Sequence, residues 1–222
     1  MSKIEDILSK YLPPAAVSVC TRWIISRNIH VRITANRTTK LGDYRPLGEG
    51  KGHRITVNHN LNPYAFLITF THEVAHLHCF MMYGPRHDAH GKEWKQEFRN
   101  LLGHFLGKNI FPEELEVILK KHLSDPPSSS CHDITLTKAL RKYDPDSNQV
   151  FHLDELEDGV RFRLHGERSK LIFIKGDRNR TRFRCTELTS GRDYLVMDFV
   201  PGKDLRTLMN EARQKGQFLA ER

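Results

Sequence analysis

A chain of 222 residues, 38% hydrophobic and 28% charged, has enough apolar surface to bury a core, which excludes global disorder, and is too short for more than a domain and an appendage. Its formal charge of +8 favours polyanionic partners such as nucleic acid, and the same excess also serves plain solubility. Cys20, Cys79, Cys131 and Cys185 form no CxxC pair. This excludes a disulfide framework or a cysteine-built zinc site and suits a reducing compartment. The opening MSKIEDILSKYLPP lacks the apolar stretch of a signal peptide, and the most apolar run, 64–83, carries Glu73 and several histidines. No membrane span is expected, and the expected location is cytoplasmic, with association with the nucleoid open.

In chain order, helical spacing over 4–11 stops at Pro13-Pro14, and a second helix is expected over 15–27 with Val17, Cys20, Trp23 and Ile24 on one face. Alternation in Ile29, Val31 and Ile33 predicts a strand, TTKLGDYRP a possible second, and HRITVN (53–58) a third after a glycine-rich turn. Pro63 opens a helix that runs to Tyr83 and stops at Gly84-Pro85. A polar loop, PRHDAHG, leads into another helix over 91–105, and a last short one is expected over 112–123. SDPPSSS (124–130) marks a linker, expected to extend to 148, with ITLTKALRKYDPDSN ambiguous. Short strands are expected over 160–164, 170–175, 180–186 and 193–199, joined by tight turns as an antiparallel meander, and 201–222 forms a terminal helix or tail.

His72-Glu73-Val74-Ala75-His76 is a HExxH match inside the longest helix. Histidines one turn apart can point both imidazoles at one cation, and a glutamate beside the first can move protons there without occupying the metal. The flanks Phe66, Leu67, Phe70, Val74, Leu77 and Phe80 predict a buried helix, in which two histidines and a glutamate without a partner would be costly. A third ligand must come from downstream. His78 lies on the wrong side of the helix, whereas His87 and His90 both follow the chain reversal, with Glu93 and Glu97 further on. Asp88 is expected to cap the next helix or to hold a ligand histidine, His87 to lie on the surface rather than to contact substrate, and Cys79 to be core.

The segment HEVAHLHCFMMYGPRHDAHGKEWKQEF, in which the HExxH helix is followed by a reversal and then His90-Gly91-Lys92-Glu93-Trp94, resembles the SprT-like metallopeptidases, a family that includes the Spartan proteases. The resemblance covers about residues 4–123, including a strand ahead of the metal helix. It implies an α+β, zincin-like core, one Zn2+ per chain held by His72, His76 and His90, and Glu73 as general acid/base. Gly91 would let the backbone approach the metal helix, and Trp94 would fix the angle of the His90 ligand.

Many relatives carry a zinc ribbon with two cysteine pairs after this core. Here only Cys185 falls in the meander, so the small β-domain resembles a degenerate ribbon and no second zinc is expected. The meander is rich in arginine: Arg180, Arg182 and Arg184 alternate along one strand with Arg178 in the turn before it, a pattern suited to phosphate contact or to a solvated edge. The expected organisation is a peptidase core over 1–123, a linker over 124–148, a basic β-domain over 149–200 and a tail over 201–222. The expected activity is zinc-dependent cleavage of protein substrates, with DNA-associated proteins implied by the resemblance. A DNA-binding adaptor with a non-catalytic zinc site is the alternative from another class, and a hydrolase of non-peptide amides is a third.

Overall fold

The computed structural model describes residues 2–35, 37, 40–127, 133–145, 153–163, 171–179 and 182–197. The chain divides into two compact units, Met1–Pro145 and Asp146–Arg222; the first has six α-helices and a three-stranded sheet among its described residues and the second a four-stranded sheet with one 3-10 turn, an α+β class as expected.

In the first unit, α1 (Lys3–Leu8) is opened by a reciprocal capping box between Ser2 and Glu5. Helix α2 (Pro14–Ser26) begins on Pro14, whose missing N–H costs nothing at a helix start, and buries Ala16, Val17, Cys20, Trp23 and Ile24. Three strands follow: β1 (Ile29–Thr34), β2 (Gly42–Pro46) and β3 (His53–Asn58). Their order in the sheet is β1-β3-β2, with β1 parallel and β2 antiparallel to β3. The two-residue period of a strand then sorts every side chain. Ile29, Val31, Ile33, Tyr44, Ile55 and Val57 join the core, whereas His30, Arg32, Asp43, Arg45, Arg54, Thr56 and Asn58 belong to the opposite face.

Helix α3 (Pro63–Tyr83) packs on the inner face of this sheet and is the axis of the unit. It is apolar nearly all round, with Phe66, Leu67, Ile68, Phe70, Val74, Ala75, Leu77 and Cys79 buried, the mark of a helix enclosed by its own protein. Gly84 ends it at φ 74°, a left-handed conformation natural to glycine. The chain reverses, and α4 (Lys92–Gly103) lies against α3 with Trp94, Phe98, Leu101 and Leu102 inward. Helix α5 (Glu113–Ser124) has acidic residues in its first turn and Lys121 and His122 in its last, as the helix dipole favours.

The segment expected as a linker contains structure. Helix α6 (Ile134–Arg141) is capped by Asp133, packs on α5, and sends Leu136, Ala139 and Leu140 into the main core. Asn62 ties this addition to α3. Its Oδ1 accepts the N–H of Ala65 at 3.0 Å, while its Nδ2 donates to Leu140 O at 2.8 Å and to Asp144 Oδ1 at 2.7 Å.

In the second unit β4 (Arg161–Phe162), β5 (Phe173–Asn179), β6 (Arg182–Glu187) and β7 (Asp193–Met197) form an antiparallel meander in that order, as expected. Leu153, Phe173, Phe183, Cys185 and Val196 make its small core. The register shifts between Lys175 and Arg178, and Gly176 sits in that irregularity, where a Cβ would lie 2.8 Å from Arg184 O. Residues 201–222, expected as helix or tail, fall outside the described residues.

Two stability effects follow. Asn62→Ala removes a helix cap and the donor that ties Leu140 O and Asp144 Oδ1 to α3, while Leu140 O keeps the N–H of Tyr143, so chemical denaturation of the full chain should show a loss of about 1–2 kcal/mol. Asp133 is pushed up by burial, but the N–H of Leu136 and the ring of His122 outweigh this and hold it below the usual carboxylate range. A depressed pKa stabilises the fold above the unfolded value near ~3.9 and is lost as pH falls through the folded one. Wild type should therefore lose more stability than Asp133→Asn between pH 5 and pH 3 in urea titrations; equal losses would show that this carboxylate carries no such linkage.

Candidate metal centre

Three histidines from two helices converge. His72 and His76 lie one turn apart on α3, and His90 stands at the end of the loop that turns back into α4. His76 Nε2 is 3.1 Å and His90 Nε2 3.4 Å from His72 Nε2. Tetrahedral zinc with nitrogen ligands at about 2.0–2.1 Å sets neighbouring nitrogens about 3.3 Å apart, so the donor set fits one ion. Among the described residues this is the group of histidine, cysteine and acidic side chains placed to hold a metal. Burial lowers the pKa of all three; neighbouring imidazoles add to it at His72 and at His76, which falls to about 3, while Asp88 partly opposes it at His90. They are neutral near pH 7, the form that binds a metal.

Trp94 holds the cluster from below. Its ring lies 4.6 Å from that of His72, 5.4 Å from His76 in a stacked arrangement, and 4.7 Å from His90. Phe98 stacks beneath it at 5.1 Å. The tryptophan is fully buried and its indole N–H has no partner among the described residues, so packing against the imidazoles decides its place here. This agrees with a role in setting ligand orientation.

Glu73 lies against β2 of the sheet and is only 7% exposed. Burial pushes its carboxyl up to about 8 and Asp43 adds to the effect, while Arg37, Lys40 and the backbone N–H of Tyr44 oppose it. Gly42 on β2 makes the room. A Cβ there would lie 2.5 Å from Glu73 Oε1 and 2.8 Å from Thr69 Cγ2. Sequence reasoning missed this glycine, because LGDYRP shows only an ordinary strand with one small residue. Nothing short of the pairing of β2 beside α3 reveals its role.

The bystanders sort as follows. His78 Nδ1 pairs with Glu97 Oε2 at 3.1 Å, away from the three histidines. His87 is half-buried and hydrogen-bonds through Nδ1 to Gly84 O at 2.6 Å, which holds the loop rather than standing free on the surface. Cys79 is core. Asp88 accepts the backbone N–H of His90 at 3.2 Å, whereas Gly91, without a side-chain cap, occupies the N-cap position expected of Asp88. Gly91 is a correction too: a Cβ there would meet Asp88 and Glu93 at 3.0–3.3 Å, so the crowding comes from its own loop and not from α3.

In the second unit Arg182 and Arg184 are exposed on one face of β6. Arg178 lies within β5, not in a turn, and its guanidinium stands 5.8 Å from the ring centre of Phe183, which points to the other face. Arg180 falls outside the described residues. Cys185 is buried as a free thiol, and the resemblance to a zinc ribbon finds no metal-ligating group to support it among the described residues.

Fold and centre together define an α+β domain with a three-histidine metal-type site. Residues 19–114 match the model of the SprT-like family, a span that runs from α2 into α5 and contains all three histidines and Glu73. The match is compatible with a metallopeptidase-type hydrolase. No curated protein and no solved structure matches the chain. Among the described residues no helix is long and apolar enough to cross a membrane.

Gly42→Ala should destabilise the fold by about 1–3 kcal/mol through overpacking against Glu73. Glu73→Ala in the same chain should recover part of that loss, giving a favourable coupling in a double-mutant cycle. Simple additivity of the two changes would place Glu73 away from β2.

Proposed function

We propose that this chain is a zinc-dependent endopeptidase in which His72, His76 and His90 hold the metal and Glu73 is the general acid/base, on a core of zincin type. The observation that carries the reading is the convergence of three neutral imidazole Nε2 atoms beside a buried glutamate. Neutral imidazoles in tetrahedral spacing suit zinc better than the oxygen-preferring cations. Zinc in such a site supplies Lewis acidity, polarising a carbonyl and acidifying water.

The residues of the chain provide the rest. Glu73, next in sequence to His72 and packed against Gly42, would accept a proton from the attacking water once ionised and return it to the leaving amine, its ionised form being favoured by bound zinc against the burial that raises its pKa. Its burial excludes bulk water that would compete for the proton. Trp94 keeps the imidazoles from rotating away, so the donor set is preorganised. A purely structural site needs no such base, and this favours the peptidase over an adaptor with a non-catalytic zinc.

The substrates are inferred to be proteins, DNA-associated ones among them, with Arg182 and Arg184 on β6 as nucleic-acid contacts. Support for that second part is the charge and exposure of the strand face together with the SprT-like match.

The test is metal content by mass spectrometry and cleavage of casein, with and without DNA, for wild type and Glu73→Gln. One zinc per chain is expected in both proteins, with cleavage reduced about 100- to 10,000-fold in Glu73→Gln. His90→Ala should lose zinc as well as activity. Zinc retention with no cleavage by wild type under any condition would leave the adaptor reading, and a chain that binds no zinc would sink both.

A further inference from the structure

The outer face of the three-stranded sheet in the first unit is a second cationic surface, separate from the arginines of the meander. Cross-strand register sets His30, Arg54 and Arg45 in one row and Arg32, Thr56 and Asp43 in the next. Strands about 4.8 Å apart and residues about 3.3 Å along each strand make this a grid with a spacing of several ångströms in both directions. Arg37 lies over the far end of the face, bonded to Asn58 Oδ1 at 2.8 Å and Thr56 Oγ1 at 3.1 Å, and Lys40 joins at the edge through Asp43. Asp43 is the carboxylate of this face, and Lys40 and Arg45 both pair with it, at 2.6 and 2.9 Å.

Arg32 and Arg54 form no ion pair among the described residues. Arg32 is exposed, and the Nε of Arg54 is buried without a hydrogen-bond partner among the described residues. Like charges on neighbouring strands destabilise a sheet unless something offsets them. An unsatisfied guanidinium N–H carries a further cost.

We propose that this face binds the phosphate backbone of a nucleic acid. Its donors are mainly arginines, whose planar forks match phosphate oxygens in pairs. The side chains on it are His30, Arg32, Thr34, Asp43, Arg45, Arg54, Thr56 and Asn58, all polar; Thr56 and Asn58 are buried and bonded to Arg37, so the accessible donors are those of His30, Arg32, Arg45 and, in part, Arg54. An acidic protein would find no apolar or aromatic anchor there, which stable protein interfaces need at their centre, whereas backbone phosphates require none. The inference stands independently of the peptidase reading, because no residue of the metal centre takes part.

The test measures binding of a labelled mixed-sequence DNA oligonucleotide, single-stranded and duplex, by fluorescence anisotropy across a salt series. Full-length Glu73→Gln serves as host, so that self-cleavage does not interfere. Arg32→Gln with Arg54→Gln should weaken binding about tenfold or more and flatten the slope of log K against log salt by about 1.4–1.8, two lost phosphate contacts. Exposed Arg32→Gln alone should flatten it by about 0.7–0.9, and carries the test if the double variant fails to fold by circular dichroism. Arg182→Gln with Arg184→Gln, measured in parallel, should leave the contribution of the sheet face intact. Unchanged affinity and slope in folded sheet-face variants would overturn the proposal, as would equally tight binding of poly-glutamate, which would assign the face to acidic proteins.

Discussion

Everything in the first unit depends on burying α3, a helix that carries three imidazoles and a carboxylate through an apolar core. Its sequence is apolar on nearly every side, so it must be wrapped: by the sheet on one side, α4 on another, and α5 and α6 beyond. Polar groups inside such a wrapping are tolerated only with specific partners. His72 and His76 find His90 and the face of Trp94, His78 finds Glu97, and Glu73 finds the open space above Gly42. Two helices and one strand are thereby fixed by the same few groups, and the position of the reactive side chains follows from packing.

Much of this was legible in the chain. Periodicity placed α2, α3, α4 and α5 within a few residues, because each has a long amphipathic or apolar pattern bounded by proline or glycine. His72, Glu73 and His76 were visible from their spacing alone. The choice of His90 over His87 was not settled by spacing, since both follow the reversal; the resemblance made it, and the geometry agrees by bringing His90 Nε2 to His72 while His87 turns to Gly84 O.

What escaped the sequence was long-range. Helix α6 follows a run of proline and serine that reads as a linker, yet Asp133 and the spacing of Leu136, Ala139 and Leu140 are the cap and stripe of an ordinary helix. Its partner, Asn62, stands 78 residues before Leu140, and no local pattern announces that pairing. The sheet order was likewise hidden. Strands β1 and β2 are consecutive but lie on opposite sides of β3, so β2 comes to the edge beside Glu73 only once β3 has been inserted. Arg178 shows the same limit on a smaller scale: one irregularity in β5 moves it to the face opposite Arg184.

The alternation of β2 sets two chemistries back to back. Gly42 and Tyr44 face inward, one clearing space for Glu73 and the other packing its ring 6.1 Å from that of Phe80. Asp43 and Arg45, one step along, face outward among the cations. A slip of one residue in this strand would exchange the two sets, driving a carboxylate and a guanidinium against Glu73 and sending Tyr44 into water. The pairing of Tyr44 with Ile55 and of Gly42 with Val57 guards against that, because both partners are fully buried and admit no charged neighbour. The register of one short strand is therefore what keeps the carboxylate of the metal helix enclosed on one side and Asp43 and Arg45 among the cations on the other.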